Sequence, residues 1–109
     1  MSQITFSLSR YDGPAVIGGI RFAQASLREQ ADQEGDGVIK SWEGTASVAR
    51  SEASEVTPEW LERPGPVKVG LPEGGTGTAH ITGAALIDDR LWELDLVGAG
   101  PSPMANAQR

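Results

Sequence analysis

Asp32-Gln33-Glu34-Gly35-Asp36-Gly37-Val38-Ile39-Lys40-Ser41-Trp42-Glu43 is the stretch that decides the fold, because it fits two incompatible patterns. One pattern is the twelve-residue calcium loop of an EF-hand, whose side-chain ligands would be Asp32, Glu34, Asp36 and Glu43. The other is a β-hairpin, since Asp36-Gly37 is a favoured two-residue turn and the residues after it follow the two-residue period of a strand. The flanking sequence has to decide between them.

An EF-hand needs a helix on each side of its loop, and the neighbouring residues favour strands. Residues 23–31 carry Leu27 as their only large apolar side chain, and Gly44 follows the loop directly. We therefore predict a strand over 23–31 and a hairpin tip at Asp36-Gly37. A strand after that tip would carry Glu43 about 20 Å away, at roughly 3.3 Å per residue. The alternative is a calcium-binding protein that uses the loop as its ion site.

Alternation of apolar and polar residues predicts strands elsewhere in the chain. The first strand would be half-buried, with one face formed by Ile4, Phe6 and Leu8. Turn residues follow at Tyr11-Asp12-Gly13-Pro14, and a second strand is predicted over residues 15–22, with Gly18-Gly19 as a bulge or a close backbone approach. In the last third of the chain, strands are predicted at 67–71, 76–82, 86–87 and 91–97.

These patterns predict an all-β fold. We expect a small antiparallel β-barrel or sandwich of six to seven short strands, with one short helical turn near residues 57–63. That turn would begin at Thr57-Pro58, where threonine caps the helix and proline fits its first position. Residues 1–100 would form a single β domain, in which 51–66 is a long acidic, proline-containing connection, and 101–109 a mobile C-terminal tail.

Composition narrows the choice of partners. The chain has 109 residues, a net charge of −6 and no cysteine. Its nine basic residues leave no basic stripe, so we expect neither nucleic acid nor a membrane as a partner. No segment has the length of a membrane span or the features of a signal peptide. We expect a soluble protein, cytoplasmic or part of a soluble assembly.

The sequence carries no catalytic signature, so an interaction role is the leading hypothesis. His80 is the only histidine, and an enzyme would need it to meet a carboxylate and a hydroxyl in one pocket. We predict a non-enzymatic interaction or structural module without a cofactor, which binds a protein partner or itself as an accessory subunit of a larger assembly would. Trp60 and Leu61, on the irregular connection, are the predicted interaction residues. A ligand-binding barrel is a further alternative, with a cavity lined by Phe22, Trp42 and Trp92.

Three short motifs resemble an uncharacterised actinobacterial family of small β-barrel domains, sometimes fused to flavin-dependent monooxygenases. They are Tyr11-Asp12-Gly13-Pro14-Ala15, Trp42-Glu43-Gly44 and the ending from Trp92 to Gly98-Ala99-Gly100-Pro101, in the same order along most of the chain. The first two match the family's Tyr-x-Gly-Pro-Ala and Trp-x-Gly. The third departs from its terminal Gly-x-Gly-x-Pro, since Pro101 directly follows the second glycine and Pro103 comes one position later than the pattern places it. The resemblance implies a closed β fold and transfers no catalytic residue.

Overall fold

Six antiparallel strands close into a barrel in this computed structural model, which describes residues 4–104 apart from the side chain of Glu34. The strands are β1 (Ile4–Ile17), β2 (Ile20–Glu34), β3 (Gly37–Ala49), β4 (Val67–Gly70), β5 (Thr76–Ile87) and β6 (Leu91–Gly98). Around the barrel they follow the order β1-β2-β3-β6-β5-β4, and β4 returns to β1. The all-β prediction is confirmed.

A short helix lies where the sequence predicts it. The helix α1 (Pro58–Leu61) follows a 3-10 turn (Arg50–Glu52) on the connection between β3 and β4. The Thr57 side chain accepts a hydrogen bond of 3.2 Å from the amide of Trp60, which is the expected N-cap interaction. Proline at the first helical position needs no amide partner there.

The first hairpin corrects the sequence prediction. Gly18 and Gly19, with φ of +58° and +87°, form a two-residue turn between β1 and β2, so no single strand runs over residues 15–22. Two adjacent residues at positive φ match the right-handed twist of the paired strands, which explains the glycine pair. The predicted turn at Tyr11 to Pro14 is also wrong: β1 runs through it, with a bulge between Gly13 and Ala15.

The second hairpin is the one predicted from the opening stretch, displaced by one residue. Glu34 pairs with Gly37, so the two turn residues are Gly35 and Asp36. Gly35 takes φ of +58° at the first turn position, which explains the displacement because an L side chain rarely adopts this conformation.

The last hairpin joins a single long strand to β6. The predicted strands at 76–82 and 86–87 are one strand, β5, with a bulge between Ile81 and Gly83. Asp88 and Asp89 both have positive φ, and the amide of Arg90 donates a hydrogen bond of 2.9 Å to the carbonyl of Ile87. This geometry is that of a type I′ turn, in which aspartate is among the favoured residues.

β1, β2 and β3 are longer than predicted, at 14, 15 and 13 residues, and they extend beyond the barrel. β4 pairs with β1 only at Val16 and Ile17, and β6 pairs with β3 only from Glu43 onwards. Residues 4–10, 28–34 and 37–42 therefore form a three-stranded arm with β2 in its centre. The outer edge of β1 and the outer edge of β3 have no paired strand along the arm within the described chain.

Each end of the barrel is closed by side chains. At the end remote from the arm, the connection from β3 to β4 places the Trp60 ring 6.2 Å from that of Phe22. At the arm end, the Trp42 indole donates a hydrogen bond of 3.0 Å to the carbonyl of Gly100. The segment continues into Ser102, Pro103 and Met104, which are all buried. The predicted mobile tail thus requires correction for residues 101–104, since these cover the barrel, and residues 105–109 lie outside the described chain.

Gly44 marks a point where β3 and β2 approach too closely for a side chain. A Cβ atom there would overlap the backbone carbonyl oxygen of Ser26 and lie 2.6 Å from Cδ2 of Leu27, which is buried. At Gly70, in β4, a Cβ atom would meet nothing within 4 Å. The two glycines therefore differ in whether they accept a methyl group.

We predict that Gly44→Ala destabilises the fold, since overpacking of a core costs about 1–3 kcal/mol. Gly70→Ala is the matched control and should be neutral or slightly stabilising, because it restricts the unfolded chain. Thermal unfolding followed by circular dichroism compares the two. A melting temperature for Gly44→Ala equal to that of Gly70→Ala would contradict the close approach of β2 and β3.

Candidate functional site

The most unusual surface of the molecule is the β1 edge of the arm. Ile4, Phe6 and Leu8 are 48%, 47% and 46% exposed. They alternate with Thr5 and Ser7, so the three apolar side chains share one face. The sequence predicted a half-buried strand with these residues on one face; the structure leaves that face partly exposed to solvent because the barrel closes further along β1.

Apolar exposure continues across the tip of the arm. Val38 and Ile39 in β3 are 61% and 56% exposed. Val38 lies opposite Gln33 and Gln33 opposite Ile4, so Val38 and Ile4 belong to the same face of the sheet. Five of the nine strongly exposed large apolar residues found in the described chain thus lie on the arm.

No strand within residues 4–104 pairs with the outer side of this edge along the arm, so backbone donors and acceptors accompany the apolar side chains there. Soluble proteins usually protect edge strands with charge, proline, bulges or a covering element. Residues Ile4 to Ser9 contain no charged residue and no proline, and the ladder to β2 is interrupted by one bulge between Ser7 and Ser9. An uncharged edge with large apolar side chains suits the addition of another strand.

The predicted interaction residues lie elsewhere and take part in packing. Trp60 is partly buried, its ring is stacked on Phe22, and a Cβ atom at Gly18 would lie 2.8 Å from its Cζ2. Leu61 is also partly buried against the core. Both residues cover the barrel end remote from the arm, and an interaction role for them stays a prediction.

The residues predicted to line a ligand cavity belong to the core and lie at two different levels of it. Phe22 and Trp42 are buried, and Trp92 is partly buried against the same core. Phe22 lies near the Gly18-Gly19 turn and Trp92 at the start of β6, while Trp42 lies at the arm end. All three thus contribute to the core, and a ligand cavity among them stays a prediction.

The calcium hypothesis requires carboxylates that the hairpin separates. Glu43 lies opposite Arg28, with Oε2 2.7 Å from Nη2 of that arginine, six positions along β3 from Gly37. Asp32 accepts a hydrogen bond of 2.7 Å from the Thr5 hydroxyl, and Asp36 lies in the turn. The fourth predicted ligand, the side chain of Glu34, is not among the described groups. Within the described chain no group of three or more acidic or histidine side chains is placed to hold a metal ion.

His80 is exposed on the outside of β5, opposite Val97 of β6. From Val97, directly opposed residues on neighbouring strands continue around the outside of the barrel. They are Glu43 in β3, Arg28 in β2 and Arg10 in β1. Arg10 and Arg28 contribute to a polar surface groove of about 460 Å³. The groove contains the Arg28 to Glu43 ion pair, which is largely exposed and therefore worth about 0–1 kcal/mol.

A second groove of about 450 Å³ follows the seam where β1 leaves β4. Its walls are mostly apolar and include Val16, Leu71 and Pro72, with the exposed Arg21 opposite Val16 at its border. Chemically, apolar walls with one guanidinium suit an apolar group that carries a carboxylate.

Tyr11 lies beside this seam and reports on its electrostatics. Its hydroxyl donates a hydrogen bond of 2.6 Å to the carbonyl of Pro14. Burial, and to a smaller extent the nearby carboxylate of Glu73, raise the pKa of the Tyr11 hydroxyl above its ordinary value of 10.0. Because Glu73 belongs to the turn between β4 and β5, this effect depends on the closure of β1 against β4.

We predict that Tyr11 titrates above pH 10.0 in the folded protein and that Glu73→Gln lowers its pKa by removing a nearby negative charge. The pKa of Tyr11 is higher in the folded chain than in the unfolded chain. The contribution of Tyr11 to the free energy of unfolding is therefore fully present below the unfolded pKa, and it is lost as pH rises through the folded pKa. Tyr11 is the chain's one tyrosine, so absorbance near 295 nm follows it alone. A midpoint unaffected by Glu73→Gln would contradict the placement of the turn.

Comparisons with known proteins find no match to a protein family, to a curated protein or to a solved structure. The resemblance to the actinobacterial barrel family stays a prediction. Of the helices in the described chain, none has the length and apolar character that crossing a membrane requires.

Proposed function

We propose that the chain is a non-enzymatic interaction module whose binding element is the β1 edge of the arm. The observation that supports this proposal is the exposure of Ile4, Phe6 and Leu8 along an unpaired, uncharged edge. Large apolar patches that remain on a folded surface mark interaction sites in soluble proteins. An accessory or structural subunit of a larger assembly would use such an edge to take up another strand.

The barrel holds this edge in place. β2 is the central strand of the arm and pairs with β1 from Ile4 and with β3 as far as the tip. Ala31, which lies opposite Phe6 on β2, is 4% exposed, and the Trp42 indole is anchored to the carbonyl of Gly100. A strand that is already extended and supported on one side loses less conformational entropy when it binds.

We predict that Phe6→Lys abolishes protein binding, because it places a charge in the centre of the apolar edge. The matched control is Ile87→Lys, which changes a comparably exposed residue, 42% against 47%, at the barrel end remote from the arm. The measurement is capture of proteins from the native source on immobilised wild type, Phe6→Lys and Ile87→Lys, with circular dichroism to show that all three fold.

The proposal requires proteins retained by wild type and Ile87→Lys but lost from Phe6→Lys. Retention that is equal on all three would place the binding surface elsewhere. Retention lost on Ile87→Lys alone would transfer the binding role to the opposite end of the barrel.

A further inference from the structure

We propose that the partner of the β1 edge is a second copy of the chain, paired antiparallel about a two-fold axis that passes beside Phe6. This inference rests on the proposed function and names its partner. Both edges would be the free side of β1, since β4 occupies that side only at Val16 and Ile17. The result would be a continuous sheet through the two arms.

The residue pattern of this edge is complementary to itself. With Phe6 opposite Phe6 of the second copy, Ile4 lies opposite Leu8 and Thr5 opposite Ser7. Directly opposed residues in an antiparallel pair share one face and lie about 4.5–5.5 Å apart. Apolar side chains therefore meet apolar side chains on one face, and hydroxyls meet hydroxyls on the other.

Neighbouring registers fit less well. A two-fold axis beside Ser7 would place Ile4 opposite the guanidinium of Arg10, and an axis beside Thr5 would leave Leu8 without an apolar residue opposite. The bulge between Ser7 and Ser9 also limits the regular part of the edge to its first residues. The register centred on Phe6 uses this regular part from Ile4 to Ser7 and meets the bulge only at Leu8.

Charge explains why copies would meet here. Each copy carries −6, so two copies repel each other at most orientations. Residues Ile4 to Ser9 carry no charge, and the nearest charged residue along β1 is Arg10. A standard protein–protein interface buries about 1,200–2,000 Å², and a strand pair of this length buries less, so we expect micromolar affinity for the dimer. That affinity should increase with salt concentration, because salt screens the repulsion between the two copies.

Cysteine pairing tests the register directly, because the chain has no cysteine of its own. Thr5→Cys and Ser7→Cys leave all three apolar residues in place. In the proposed register the two sulfurs face each other only between a Thr5→Cys copy and a Ser7→Cys copy. Within either variant alone the cysteines are two positions out of register, about 8 Å apart, which exceeds the reach of a disulfide.

We expect mild oxidation to give a disulfide dimer from the mixture of the two variants, and at most a small fraction of that yield from either variant alone. Sedimentation of unmodified protein should show a monomer–dimer equilibrium that Phe6→Lys abolishes and Ile87→Lys leaves unchanged. Equal yields from mixture and single variants, or no crosslinking in any sample, would overturn the register.

The two proposals fail in different ways. A wild-type chain that stays monomeric up to high micromolar concentration, yet captures another protein through Phe6, would overturn self-pairing and leave the interaction role intact. A monomer that captures nothing would overturn both. A dimer that survives Phe6→Lys would show that copies associate through a different surface.

Discussion

The mismatch between β1 and β4 is the constraint on which the rest of the structure depends. β1 has 14 residues and β4 has four, and only two register pairs join them. β2 pairs with one side of β1, but β4 is too short to pair with the backbone groups on the other side along the whole strand. The barrel therefore closes over part of β1 and leaves the remainder as an edge, on which the apolar residues from Ile4 to Leu8 lie.

The closed part of the barrel gives the arm its support. Gly44 lets β3 lie close against β2, and Gly98 of β6 leaves room for the Trp42 indole. The indole is fixed in turn by its bond to Gly100, and the segment that follows covers the arm end down to Met104. Packing of this kind is dense and tolerates little change in volume. The strands of the arm therefore continue directly from a tightly packed barrel.

Local chemistry made much of the fold predictable. Alternation of apolar and polar residues predicted the strand at 91–97, which is β6 in the structure, and Thr57-Pro58 predicted the helix start. The separation of Glu43 from the hairpin tip also followed from strand geometry alone. In each case the signal lies within a few residues of the feature it determines.

Other features depend on partners distant in sequence, and these were not predictable. The Gly18-Gly19 pair is equally compatible with a bulge and a turn until the register of β1 with β2 is known. Alternation at Ile4 to Leu8 predicts an apolar face but does not say what covers it. Whether another strand covers this part of β1 depends on where β4 ends, and the sequence of β1 does not determine the end of β4.

Residue-resolved amide hydrogen exchange of β1 at increasing protein concentration tests the central claim most directly. The account predicts that alternate amides within residues 4–8, those on the free side of the edge, exchange rapidly in dilute protein and slow as the concentration rises. Amides of the closed barrel, such as those of residues 45–48 in β3, should stay slow throughout. Protection of the free-side amides that is already complete in dilute protein would contradict it, because the β1 edge would then be covered within a single chain.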